Sequence, residues 1–329
     1  MIKVLFLVRP DLNKIKAGDT VQVKSLKAAL ERLGLDIDIS CEQQPDLKKY
    51  DLVHSFNLLR IEVTGGQCRW VKEQGKPLIL TPIYWNMEEY LKNQRPDQLT
   101  WWKQSQKERK EVLKLADLIV PNAEEEWQQL KRDFQLDLPY RIIYNGVDPI
   151  FFSQNDRFER VNIISVGRIH SRKNQLQLIN ALKGTGLPLL FVGDINDPNY
   201  YRHCLRAAEG EKITFLKGMA QSSLVKIYQQ ARVHVMVSWY DTPGLVNLEA
   251  GLAGCNLVIT NRGTAREYFQ DLALYCDPVN PEEIREKVLK AYQVPLNKSL
   301  ARYIFNHFTW NKIAQKTVAI YTEFLSQFI

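Results

Sequence analysis

The chain has 329 residues, 45% of them hydrophobic and 25% charged, with a net charge of +7. That composition excludes disordered, collagen-like and fibrous classes, and the length fits two domains of roughly 100–200 residues each. No apolar run approaches the ~18 residues of a membrane span.

The opening run from Ile2 to Val8 is closed by Arg9-Pro10 and lacks a small-residue cleavage site, so it reads as a first strand rather than a signal peptide. Five cysteines (Cys41, Cys68, Cys204, Cys255, Cys276) are widely spaced with no Cys-x-x-Cys pair, which argues against a disulfide framework or zinc site and for a reducing, cytoplasmic location. The histidines form no His-x-x-x-His pattern, so a helical metal site has no support.

A basic excess suits nucleic acid, an anionic lipid surface or a phosphorylated small molecule. Divided at residue 150, the first part holds 23 Lys+Arg against 22 Asp+Glu, and the second 21 against 15. The excess therefore sits in the second part. No aromatic-and-basic stacking motif accompanies it, so no nucleic-acid partner is expected.

In chain order, residues 2–8 form a strand buried on both faces, and 20–33 a helix closed by Gly34. Strands follow at 35–40, 51–55, 77–81, 117–121 and 141–144, the last running into the turn cluster Asn145-Gly146-Val147-Asp148-Pro149. The alternation then restarts, with strands at 161–166, 187–192, 213–216, 233–237, 257–260 and 273–276. Helices lie between them at 174–182, 200–209, 222–231 and 244–253, and terminal helices over 281–294 and 297–328. Strands separated by helices imply parallel βαβ units. Two such series predict an α/β protein of two Rossmann-like, doubly wound domains facing across a cleft, with ligands at the carboxyl ends of the strands. The expected boundaries are 1–150, 151–305 and a terminal helix, 306–329, crossing back to the first domain. A hinge is expected over 146–160.

Two motifs stand just after strands and open helices. In Val166-Gly167-Arg168-Ile169-His170-Ser171-Arg172-Lys173-Asn174, Arg168 and Lys173 can converge on a diphosphate beside a helix N-terminus; the alternative is a solvated basic loop. In Trp239-Tyr240-Asp241-Thr242-Pro243-Gly244-Leu245-Val246-Asn247-Leu248-Glu249-Ala250, Gly244 admits close approach of a ligand to the backbone. Glu249 can accept two hydrogen bonds from a vicinal diol such as a ribose. The alternative is that Asp241 caps the helix and Glu249 is a surface charge.

Together, in this order and about 70 residues apart, the motifs resemble the retaining glycosyltransferases of family 4, of the glycosyl transferases group 1 and the GT-B superfamily. The 167–173 stretch matches that family's Gly-Arg-x-x-x-x-Lys, and Asp241 with Glu249 its Glu, seven residues, Glu. Asn145-Gly146-Val147-Asp148, Phe215-Leu216-Lys217-Gly218 and Gly263-Thr264-Ala265-Arg266-Glu267 agree with further family segments.

The resemblance implies transfer of a sugar from a nucleotide diphosphate donor to an acceptor hydroxyl with retention. It implies no cofactor and no metal. Arg168, Lys173 and Asp241 would carry the chemistry; Gly18, Gly244, Leu245, Val246, Glu249 and Lys217 would bind the donor. The acceptor would be a glycan or lipid-linked sugar. On the acceptor side the family's His after the fourth strand is absent from Leu80-Thr81-Pro82-Ile83-Tyr84-Trp85-Asn86, leaving Tyr84, Asn86 and His54 as candidates. Asp241 in place of Glu and the missing His keep a non-catalytic homologue as the alternative function.

Gly18, in Ala17-Gly18-Asp19-Thr20, would bring backbone N–H groups to a phosphate; the alternative is a plain turn capped by Asp19 or Thr20. The basic stretch Trp101-Trp102-Lys103, Lys107, Arg109, Lys110 and Lys114 reads as an amphipathic helix with a solvated face, or as a peripheral contact with the inner membrane face. Asp36-Ile37-Asp38 reads as the polar face of an edge strand rather than a metal motif.

Overall fold

The computed structural model describes residues 2–12, 14, 17–152 and 159–328. The chain divides into two units, Met1–Gly146 with Trp310–Ile329, and Val147–Thr309. The expected hinge over 146–160 includes 153–158, which lie outside the described residues.

The first unit is a five-stranded parallel sheet, β1 (Lys3–Leu7), β2 (Asp36–Ser40), β3 (Leu52–Phe56), β4 (Leu78–Thr81) and β5 (Leu118–Ile119), in the order β2-β1-β3-β4-β5. Four of the five residues of β1 and all of β4 are buried, as continuous apolar runs demand in a sheet covered on both faces, and all of β3 is buried with His54 and Ser55 in it. At the edge, β2 pairs Asp36 with Lys3 and Asp38 with Lys49 on its polar face.

The expected strand at 141–144 is not formed; that segment carries backbone bonds without a full ladder. Ile119 N–H donates to Pro139, Arg141 N–H to Ile119 and Ile143 N–H to Pro121. Pro121 has no N–H to return, so the ladder stays one-sided.

The second unit is a six-stranded parallel sheet, β6 (Asn162–Val166), β7 (Leu189–Val192), β8 (Ile213–Leu216), β9 (Ala231–Met236), β10 (Asn256–Thr260) and β11 (Leu274–Cys276), in the order β11-β10-β9-β6-β7-β8. Its order turns back at β6, which lies between β7 and β9. Such a switch point opens a crevice for ligands beyond the strand ends. The core joins Ile163, Phe191, Val233, Val235 and Val258 of the sheet to Leu178 and Ile179, and Ile284 and Val288, of the covering helices.

The stretch read as terminal helices over 297–328 forms two. Lys298–His307 stays in the second unit, and Trp310–Leu325 packs on the first-unit helix Gly18–Glu31. Tyr321 of the latter reaches the centre of the first sheet, where its hydroxyl and His54 Nδ1 share a hydrogen bond of 2.5 Å. His54 Nε2 bonds Thr81 Oγ1 at 2.7 Å, and its ring stacks on Phe56.

Burial pushes His54, and His234 of β9 in the second unit, down to about 3. The unfolded chain takes up a proton on each near pH 6.5, whereas the folded chain resists until about 3. Stability is therefore full above the unfolded value and falls as pH drops through it. Between pH 7.5 and 5.5 each buried histidine should cost its unit about 1.4 kcal/mol. In urea unfolding at the two pH values, His54→Gln should lower absolute stability but reduce the loss on acidification by that amount.

Candidate functional site

The second unit gathers its polar chemistry at the carboxyl ends of β6, β9 and β10. After β6, the loop 167–174 makes a short turn in which His170 Nδ1 accepts from Arg172 N–H at 3.1 Å and Gln175 Nε2 donates to the Arg168 carbonyl at 2.9 Å. After β9, Trp239 N–H donates to the Arg172 carbonyl at 3.0 Å, tying the second loop to the first.

Lys173 Nζ meets Asp241 Oδ1 at 2.8 Å, with the side chains only 14% and 11% exposed. Burial pushes the Lys173 ammonium below its ordinary range; Asp241 pulls it back, while Arg172 and Arg168 push it down again. Asp241 thus does not cap a helix. It is the counter-ion of a lysine set among arginines.

A third loop, after β10, holds Asp241 by its backbone. Thr264 N–H donates to the Asp241 carbonyl at 3.1 Å, and Asp241 pairs with Gly263 as a parallel bridge. Gly263 has φ +89°, and a Cβ there would lie 2.2 Å from the Asp241 carbonyl oxygen. Gly244 likewise has φ +81°, and a Cβ on it would lie 2.8 Å from Asn247 Nδ2. It stands at the cap of helix Leu245–Leu252, whose first-turn N–H groups, those of Leu245 and Val246, have no partner within the helix. Beside them, Asp241 Oδ2, Asn247 Oδ1 and Thr264 Oγ1 are buried and make no hydrogen bond to the described residues. Buried polar atoms are nearly always paired, so this concentration of unspent capacity sets the helix start apart from the rest of the unit.

Glu249, in the same helix, is 4% exposed rather than a surface charge. Its Oε1 accepts from Gln221 Nε2 at 2.9 Å and its Oε2 from the Tyr228 hydroxyl at 3.1 Å. Burial pushes it up to about 7, against the two donors, and Asp148 adds to the rise. Lys217 follows β8 and is exposed.

In the first unit, Gly18 begins helix Gly18–Glu31, with ordinary φ and open space where a Cβ would stand. Neither conformation nor packing demands glycine there. Neither Asp19 nor Thr20 stands at the cap, which is Ala17. Asp19 accepts from Arg9 Nε at 2.7 Å and Nη2 at 3.0 Å, from Asn57 Nδ2 at 3.0 Å and from Thr20 N–H at 2.8 Å. A carboxylate of the chain itself therefore occupies the anion-favouring start of this helix.

Two acceptor-side expectations need correction. His54 is fully buried and spends both ring nitrogens on Tyr321 and Thr81, so it meets no ligand. Tyr84 is also buried, its hydroxyl donating to Asp133 at 2.7 Å. Asn86 is exposed, donating to the same carboxylate at 3.1 Å. The loop that carries them hangs on Glu126, which accepts from the N–H groups of Tyr84 and Asn122 at 2.7 Å each. The basic helix Leu99–Leu115 also differs from expectation: Arg109 is fully buried against the Trp102 ring, 4.2 Å from its centre, and leaves the solvated face to the lysines.

Sequence reasoning missed Tyr228 and Gln221. They lie seven residues apart, two helical turns on one face, a spacing that a search for partners of Glu249 would have found. It also missed Gly193, where a Cβ would lie 1.9 Å from the Gly167 carbonyl oxygen and push the loop after β6 off its place. Among the described residues, no group of three or more His, Cys, Asp or Glu is arranged to hold a metal ion, and no helix is long and apolar enough to cross a membrane.

Comparison with known proteins bears on the fold and on the second unit. Residues 148–307, nearly the whole second unit, match the family described as Glycosyl transferases group 1. An uncharacterized glycosyltransferase of Methanocaldococcus jannaschii is 27% identical over 207 residues, 55% of this chain and 53% of that protein. The chain thus spans about half the length of this curated relative. Sucrose-phosphate synthase from Thermosynechococcus elongatus superposes with a TM-score of 0.82 at 17% identity, over 99% of this chain and all of that one. The Anabaena protein HepE, crystallised with UDP-glucose, gives 0.75 at 16% identity, over 98% and 100%. The fold is that seen in GT-B structures such as these, and the second unit is similar to the Glycosyl transferases group 1 family.

Gly263→Ala tests the clamp on Asp241. A left-handed φ and a backbone collision together should cost the second unit about 2 kcal/mol or more, read by urea unfolding, whereas Gly18→Ala should change stability by less than about 0.5 kcal/mol.

Proposed function

We propose that this chain is a retaining glycosyltransferase of family 4 type that moves a sugar, a hexose in the simplest case, from a nucleotide diphosphate donor to an acceptor hydroxyl. The observation that carries the reading is the convergence of Lys173, Asp241, the cap at Gly244 and buried Glu249 at the strand ends of one parallel sheet.

In this reading the diphosphate sits against Arg168, Lys173 and the first-turn N–H groups of Leu245 and Val246. As the glycosidic C–O bond breaks, negative charge grows on the leaving phosphate. A desolvated lysine with an adjacent arginine stabilises that charge more than the ground state, in a site already organised for it. Side chains supply this neutralisation, so the proposal calls on no metal and no cofactor. Glu249 takes the ribose hydroxyls. Asp241, one methylene shorter than Glu and tied to Lys173, takes sugar hydroxyls through its second oxygen. Lys217, exposed after β8, lies on the nucleoside side.

Of the acceptor-side candidates Asn86 is the one left exposed to meet an acceptor, a glycan or lipid-linked sugar. The lysines of helix Leu99–Leu115 would serve a peripheral contact with the inner membrane face of a cytoplasmic protein. The UDP-glucose held by HepE makes a UDP-sugar the first donor to try.

A thermal-shift panel of UDP, GDP and ADP sugars, followed by transfer assays with mass-tagged donors, tests the proposal. One donor should raise Tm and be hydrolysed or transferred with its anomeric configuration kept. Lys173→Ala should lower turnover roughly 10²–10³-fold. Glu249→Ala should weaken binding by about 2 kcal/mol, roughly thirtyfold. Binding without turnover would favour a non-catalytic homologue, and absence of both would overturn the proposal.

A further inference from the structure

Glu249 is a buried carboxylate with an unusual set of neighbours. Tyr228 and Gln221 approach it from helix Gln221–Gln229, one on each oxygen. Asp148 faces it from the cap of the turn Pro149–Phe151, adding a like charge. Behind Tyr228 lie the His234 ring, 6.0 Å away and held neutral by burial, and Cys255, whose thiol donates to the Tyr228 carbonyl at 3.3 Å. Helix Lys298–His307 packs Leu300 and Ile304 against Gly251 of the Glu249 helix. No lysine or arginine pairs with Glu249 among the described residues. Two neutral donors are thus all that favours its charged form over its protonated one.

A protonated carboxyl has one acceptor oxygen fewer to offer a diol, and its own O–H competes for partners. The two donors also fix the plane of the carboxyl group, since they come from one helix face and reach different oxygens. Removing either loosens its aim and makes ionisation harder.

We propose that Tyr228 and Gln221 are positioning residues for the nucleoside: they favour the charged form of the Glu249 carboxyl and aim it at a vicinal diol, and so couple nucleoside binding to release of the proton that a fraction of Glu249 carries. This rests on the donor-site reading above. The balance is simple. In the free protein a fraction of Glu249 carries a proton; two diol hydroxyls donate to the carboxylate oxygens, and that proton leaves to solvent. Burial already sets Glu249 near 7, so affinity should rise with pH through neutrality and level off above it.

The test is calorimetry on the whole chain from pH 5.5 to 8.5, using whichever of UDP, GDP and ADP the wild type binds. Its 2′,3′-dideoxy analogue, which lacks the diol, and inorganic pyrophosphate are the controls. Tyr228→Phe and Gln221→Ala should each move the rise in affinity to higher pH by about one unit, with affinities converging on wild type at the alkaline end. The dideoxy and pyrophosphate profiles should not move between wild type and variants, since phosphate titration is common to both. Gln221→Glu should not rescue, because it adds a charge; Gln221→Asn should rescue in part. Without ligand, the infrared band of a protonated carboxyl that disappears in Glu249→Gln should persist to higher pH in Tyr228→Phe. Equal loss of affinity at every pH, or an unmoved infrared titration, would overturn the inference while leaving the donor site standing. Failure of the wild type to bind any of the three nucleotides would overturn both.

Discussion

Asp241 is where three loops of the second unit meet, and its fixed position is the constraint on which the site depends. Its carboxylate pairs with Lys173 of the loop after β6, its carbonyl receives Thr264 N–H of the loop after β10, and its neighbour Gly263 presses against it closer than any side chain allows. The backbone bond from Trp239 to Arg172 fastens the first two loops again. Burial disfavours the charged form of Lys173 and Asp241 opposes that push, and breaking a buried pair costs about 3–5 kcal/mol. The pairing therefore favours the charged form of a cation that burial works against.

Lys173 and Glu249 show the same pressure answered in two ways. Both are pushed toward neutrality by burial. Lys173 is met by an opposite charge, Glu249 only by an amide and a phenol. The first arrangement fixes a charge beside its counter-ion; the second leaves a carboxyl poised between its forms. Nine residues of sequence, 241–249, carry one end of each arrangement, and the helix opened by Gly244 sets the distance between them.

Much of this was readable in advance. Continuous apolar runs marked β1, β4 and β10 because strands covered on both faces need no polar alternation. Gly244 and Gly263 were visible as glycines in family-like segments, and the spacing of Lys173, Asp241 and Glu249 put them after strands. What escaped was set by tertiary context. His54 follows the pattern of a strand-end residue near a ligand, yet its fate was decided by Tyr321, 267 residues away. Arg109 reads as part of a basic face until Trp102 takes it inside. Residues 141–144 look like a strand, and only the missing N–H of Pro121 prevents the return bonds. Tyr228 and Gln221 carry no motif of their own and gain meaning only through the carboxylate they touch.

The chain leaves the first unit and re-enters it at one place. Val147 N–H donates to the Phe308 carbonyl at 2.7 Å, Val147 and Thr309 pair as a parallel bridge, and Gly146 lies so near Trp310 that a Cβ would sit 2.7 Å from its ring. The second unit is thus a segment whose two ends adjoin, inserted into a first unit whose severed ends also adjoin. Such a segment can be exchanged whole across a single seam, without threading or new linkers. For a protein of this build, recombination of one contiguous stretch would replace the entire second unit and leave the rest of the scaffold intact, with Gly146 and Trp310 as the fitting that any incoming segment must respect.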